Sequence, residues 1–153
     1  MNFHKRSKKT TWIFVCLAFS LYLFFMIYVL FISSYYNRTP GRVGFNIIPF
    51  KTIIQYIMNL KYYTIENVLT NLLGNIVVFI PLGFFIPSIF KTLRSGVQTT
   101  ISVLIITFVV ETSQRVLQVG SFDIDDIILN SIGGLIGYFI FYISFNKNEQ
   151  QSK

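Results

Sequence analysis

The sequence predicts an all-α membrane protein: a bundle of four transmembrane helices with a short interfacial amphipathic helix between the first and the second. Three observations carry that expectation. Hydrophobic residues make up 53% of the 153-residue chain and charged ones only 12%, about half the charge of an ordinary soluble domain. Apolar runs recur along the chain, several of them near the ~20 residues a helix needs to cross a bilayer core. The basic residues flank those runs instead of clustering between aromatics.

The elements follow in order. Lys5, Arg6, Lys8 and Lys9 precede an uncharged stretch, and the first span is set at residues 12–32. Trp12 lies at one end and Tyr35 and Tyr36 at the other, where aromatic belts form. A cleavable signal peptide is the rival. Its apolar region would be too long, and SSYYN offers no small-x-small cleavage site. Residues 49–61 then read as the interfacial helix. Phe50, Ile53, Ile54, Ile57 and Leu60 make an apolar face, Lys51, Gln55 and Asn59 a polar one, and Pro49 is placed to open it.

The second span is set at 69–90. Asn67, Asn71 and Asn75 line up at its start, and Pro81 frees the Val77 carbonyl inside it, predicting a bend. After a turn at Ser95-Gly96 the third span, 97–117, has a short clean run because Glu111 interrupts it. The fourth occupies 127–145. Nothing resembles a polar linker, so residues 1–153 read as one domain.

Composition also excludes several functions. The net charge of +7 forms no basic patch between aromatics, which removes nucleic acid as a partner. Cys16 is alone in an apolar run and His4, the one histidine, lies far from the other polar groups. Neither a disulfide nor a cysteine metal site is available. The DIDD run lacks fixed ligand spacing, so no metal and no cofactor are expected. The sequon Asn37-Arg38-Thr39 carries no weight, because chance matches are frequent.

With both termini inside, the 13 basic residues divide into Lys5, Arg6, Lys8, Lys9, Lys91, Arg94, Lys147 and Lys153 within and Arg38, Arg42, Lys51, Lys61 and Arg115 outside. That bias fits the positive-inside rule and predicts cytoplasmic ends. The orientation brings polar groups of three spans to one depth near the outer leaflet: Asn71 and Asn75, then Glu111, Gln114, Arg115 and Gln118, then Asp123, Asp126 and Asn130. A charge at mid-span costs about 2.5–3.5 kcal/mol on insertion scales, so these groups are expected to face a polar pocket. Gly133, Gly134 and Gly137 form a packing face below it, and Gly133 with Gly137 makes a GxxxG pair.

Each part has a plainer explanation. Glu111 and Arg115 can neutralise each other at i,i+4. The asparagines can be interhelical glue. The aspartates can be a solvated loop at a helix N-terminus. Their coincidence at one depth favours a site. Its chemistry is thin: Glu111 with Asp123 or Asp126 supplies an acid and a base, yet Ser113 and Ser121 have no partner histidine.

At these residues the chain resembles the VanZ-like proteins, small bacterial membrane proteins named for a teicoplanin-resistance factor. NIIPF at 46–50, NIVVFIPLG at 75–83, ETSQ at 111–114 and DIDDIILNSIGG at 123–134 carry the resemblance. By position it implies functional weight at Asn46, Pro49, Phe50, Asn75, Pro81, Gly83, Glu111, Gln114, Asp123, Asp126, Asn130 and Gly133/Gly134, and leaves Asp125 outside the pattern. It implies a cytoplasmic-membrane protein that lowers susceptibility to teicoplanin, or acts on lipid-linked cell-envelope ligands, through the outer pocket. Membrane lipids, the glycopeptide or a lipid-linked wall precursor are its expected partners. The rival is a membrane enzyme modifying such a lipid with Glu111, Asp123 and Asp126; a non-enzymatic role is favoured. A purely structural polar set is the third reading. A transporter is the fourth, and it would need a homo-oligomer to enclose a path.

Overall fold

Four helices are long and apolar enough to cross a membrane, and each grows from one of the four apolar runs. The computed structural model describes residues 3–32, 44–59 and 61–150. Tyr35, Tyr36, the Asn37 sequon, Arg38, Arg42, Leu60 and Lys153 lie outside the described residues.

Helix α1 spans Phe3–Ile27 and ends in a π-helical turn at Tyr28–Ile32, so the basic N-terminal residues are part of the helix. The short strand β1, Phe45–Asn46, leads to α2, Lys51–Met58. Helix α3 runs from Ile65 to Ile89 without a break, with Pro81 and Pro87 inside it. A 3-10 turn at Lys91–Leu93 precedes α4, Gly96–Val116, whose start is fixed by a capping box between Ser95 and Gln98. Strand β2, Phe122–Asp123, opens directly into α5, Ile124–Gln150. The last span therefore begins at the DIDD run and not after it.

Strands β1 and β2 pair in parallel, Phe45 opposite Phe122 and Asn46 opposite Asp123. Nothing in the hydropathy pattern predicts this two-residue bridge. It joins segments far apart in the chain, and the stacked rings of Phe45 and Phe122 (5.0 Å) cover it.

The tightest contact is between α3 and α5, and glycine makes it. A Cβ on Gly133 would run into the Ile76 carbonyl, one on Gly137 into the Ile80 carbonyl, and one on Gly83 into the Gly134 backbone. Gly134 also faces the methyls of Val103 on α4, 2.7 Å from where its Cβ would lie. Backbone carbonyls cannot move aside as side chains can, so these positions set the helix spacing. Around them Met26, Leu30, Phe79, Leu82, Ile86, Val103 and Val110 form the buried core.

Helix α1 is held more lightly. It runs antiparallel to α3, with Phe19 against Phe85 (5.4 Å) and the Tyr22 hydroxyl donating to the Val78 carbonyl (2.8 Å). That carbonyl is the neighbour of the one Pro81 leaves without its helical donor.

Candidate functional site

At one end of the bundle the start of α3, the end of α4 and the start of α5 meet the β-bridge and α2. Asp123 is the hub. It stands just before α5 and caps it, its Oδ1 accepting the Asp125 backbone N–H (2.9 Å). The same Oδ1 accepts from Asn46 Nδ2 (2.9 Å), while Oδ2 accepts from the Thr52 hydroxyl (2.6 Å). Asn46 Nδ2 also donates to Thr52 Oγ1 (3.1 Å). The Asp123 backbone N–H donates to Glu111 Oε2 (3.3 Å), tying α4 to the hub. On the α3 side Asn75 Nδ2 donates to Asp126 Oδ1.

Asp125 has a different task. It is fully buried and accepts three backbone N–H groups: Phe50 on Oδ1, and Thr52 (2.7 Å) and Ile53 (3.2 Å) on Oδ2. These are the orphan donors of the first turn of α2. Phe50, just before that helix, has no side chain able to cap it. The carboxylate of α5 takes the place of a local cap.

This corrects the expected role of Pro49. The proline is not the first helical residue; it sits at the second position of a turn closed by Lys51 N–H to the Ile48 carbonyl (3.3 Å). Phe50 follows with φ 65° and ψ 0°, which makes the turn type II, where proline is favoured second and a positive φ is required third. A non-glycine residue there carries roughly 1–3 kcal/mol of strain, and its N–H is held by Asp125.

The two faces of α2 separate: Ile54 and Ile57 of the apolar face are exposed, whereas Thr52, Ile53 and Tyr56 turn toward the bundle. Burial pushes the Tyr56 hydroxyl above its ordinary pKa, and the nearby charges of Asp126, Tyr63 and Asp123 push it further in that order. Tyr56 therefore stays protonated at neutral pH beside two carboxylates, packed edge-on against Tyr63 at 5.0 Å.

The other polar residues fall into layers. Asn75 and Glu111 are buried and Asn71 is half-buried a turn from Asn75. One turn deeper Asn130 Nδ2 donates to Thr107 Oγ1 (2.6 Å), both side chains fully buried, and Asn130 Oδ1 has no protein partner. Gln114 leaves the set: its Nε2 donates to the Leu30 carbonyl (2.9 Å) in the π-turn of α1. Gln118, also placed on the polar stripe, is exposed with φ 55° and ends α4, the Val119 N–H returning to the Gln114 carbonyl (3.0 Å). Arg115 is half-buried. The carboxylate of Glu111 reaches toward Asp123, accepting its backbone N–H.

Sequence reasoning passed over three residues here, Thr52, Tyr56 and Asp125. One signal for Asp125 was available. Helix α2 starts after a phenylalanine, so its N–H groups needed an acceptor from elsewhere, and three carboxylates stood at one helix start. No group of carboxylate, histidine or cysteine side chains among the described residues has the arrangement of a metal site.

Comparison with known proteins places these residues in context. The model of the family described as VanZ/LLP1 matches residues 3–145. The protein named Protein VanZ from Enterococcus faecium is 28% identical over 112 residues, which cover 73% of this chain and 68% of that one. No solved structure matches.

Proposed function

The chain belongs to the VanZ/LLP1 family, and from that membership we propose that it lowers susceptibility to teicoplanin-type glycopeptides in a bacterial cytoplasmic membrane. It does so by engaging a lipid-linked envelope ligand, the antibiotic or a wall precursor, at the polar end of the bundle. Both termini lie in the cytoplasm, so that end faces the outer leaflet, where such ligands are displayed.

One observation carries this reading. Asn75 of α3, Glu111 of α4 and Asp123 and Asp126 at the start of α5 converge under α2. Burying such a group costs several kcal/mol unless partners offset it, and four apolar residues would hold the helices together as well. The hub also disfavours the enzymatic alternative. Both oxygens of Asp123 are engaged by the Asn46 and Thr52 side chains and the Asp125 N–H, and both of Asp125 by backbone N–H groups, a structural use that speaks against proton transfer at either.

The test is antibiotic susceptibility of a sensitive Gram-positive host carrying the wild type, Glu111→Gln or Asp126→Asn at matched membrane levels, with teicoplanin and vancomycin side by side. The expected result is protection against teicoplanin from the wild type and its loss in both variants. Wild-type protein that protects against neither drug would refute the resistance role. Protection that survives both substitutions would refute the site. Mass analysis of wall precursors and lipids from the same cells should show no new covalent product; finding one would favour the enzyme.

A further inference from the structure

A groove of about 500 Å³ opens between α1, α3 and α4, toward the end of the bundle away from the carboxylates. Leu23 and Met26 of α1, Leu82, Ile86 and Phe90 of α3, and Ile106 of α4 supply its walls. Ser102 is the polar residue among those lining it, and its hydroxyl is spent on the Gln98 carbonyl of its own helix (2.9 Å). The walls thus offer no free hydrogen-bond donor. A polar occupant would lose its bonds to water on entering, and only a hydrocarbon gains. Because α1 packs lightly, with little of its apolar stretch buried, the groove opens sideways onto whatever surrounds the helices.

The end of the groove is basic. Phe90 and Leu93 close it, and Lys91 stands between them on the same turn, exposed. Arg94, next along, is pinned by Nε to the Pro87 carbonyl (3.2 Å) with its guanidinium over the ring of Phe145 (5.6 Å). Helix α1 adds to this. Phe19 meets Phe85 in antiparallel packing, so at 1.5 Å per residue the turn that holds Lys8 and Lys9 reaches the level of Lys91 and passes it. Of the six acidic residues, only Glu149 lies toward this end.

We propose that this groove seats one acyl chain of an anionic phospholipid, with its phosphate headgroup against Lys91. The apolar wall selects the chain and the lysine selects the charge. This site is separate from the carboxylate end and does not depend on the function proposed for it.

The experiment uses full-length protein in phosphatidylcholine vesicles. Trp12, the single tryptophan, is replaced by phenylalanine, and Phe90→Trp places a reporter in the groove. Phe139→Trp, on an exposed face of α5, serves as the control. Phosphatidylglycerol brominated on its acyl chain is titrated in and fluorescence quenching is read. The groove reporter should saturate at about a five-fold lower mole fraction than with brominated phosphatidylcholine, the step one lysine gives near an anionic headgroup. Lys91→Gln should bring the two curves together. Quenching that rises in proportion to mole fraction for both lipids, as at Phe139→Trp, would overturn the site. Equal saturation by both lipids would overturn the headgroup assignment. Native mass spectrometry of protein carrying no reporter provides a second readout: phosphatidylglycerol should stay bound to the wild type and leave the Lys91→Gln variant, and equal retention would overturn the proposal.

Discussion

Asp125→Asn is the substitution that tests how the polar end is built. The side chain keeps its size and loses one acceptor. Asp125 now takes Thr52 and Ile53 N–H on one oxygen and Phe50 N–H on the other. An asparagine can satisfy one of those groups of donors, but its amide then points N–H at the donor on the opposite side. Hydrogen bonds to a charged group contribute about 1.5–3 kcal/mol each, and a buried donor left unmade costs about 1–3 kcal/mol. Losing the Phe50 bond also leaves the strained φ of that residue without its partner. Together these give a local destabilisation of roughly 3 kcal/mol for docking of α2, about a 150-fold change in its opening equilibrium. Hydrogen exchange in micelles reads this directly. Amides of residues 50–58 should lose about two orders of magnitude in protection, while those near Phe79 and Leu82, in the α3 core, keep theirs. Unchanged protection at Phe50 and Thr52 would refute the capping role. A uniform loss across all helices would show that Asp125 supports the whole bundle and not one element.

The glycine face makes a graded prediction. Gly137→Ala, which drives a methyl into a backbone carbonyl, should cost at least about 2 kcal/mol in thermal unfolding. Gly134→Ala meets the Val103 side chain first, its two methyls and then its Cβ, so Val103→Ala should recover part of the loss, while the same second change should do nothing for Gly137→Ala. Tyr56 predicts a pH effect. Its folded pKa is raised above the ordinary value of 10.0, so the stability it contributes is present below that pH and is lost as pH rises beyond it. Docking of α2, followed by exchange or by tyrosine absorbance, should weaken above pH 10, and Tyr56→Phe should remove its share of that slope.

The bundle was legible in the sequence because hydropathy and span length are summed over ~20 residues, and no single side chain decides them. The shared depth of Asn75, Glu111, Asp123 and Asp126 followed from alternating direction of the spans. What stayed hidden depends on contacts between distant segments. The bridge of β1 with β2 is two residues long, too short for any periodicity to show. Asp125 looked like a bystander between two more regular positions, because helical spacing says nothing of a partner more than seventy residues away. The Pro49 turn was misread for a related reason. A proline at the start of an amphipathic run fits two local geometries, and the distant carboxylate selects between them. Gln114 left the pocket because the π-turn of α1 presented a carbonyl that no sequence pattern announces.

The distance along the chain between α2 and its cap has a further consequence, for biosynthesis. Phe50 and Asp125 are 75 residues apart, and at about 5–20 residues per second the ribosome needs roughly 4–15 s to pass from one to the other. Throughout that interval α2 has been made but its first donors have only water in place of the Asp125 carboxylate, and β1 has no strand to pair with. The segment between the first two spans must wait, uncommitted, until the start of the last span emerges. The polar end is therefore closed late, after the first three long apolar helices have been made.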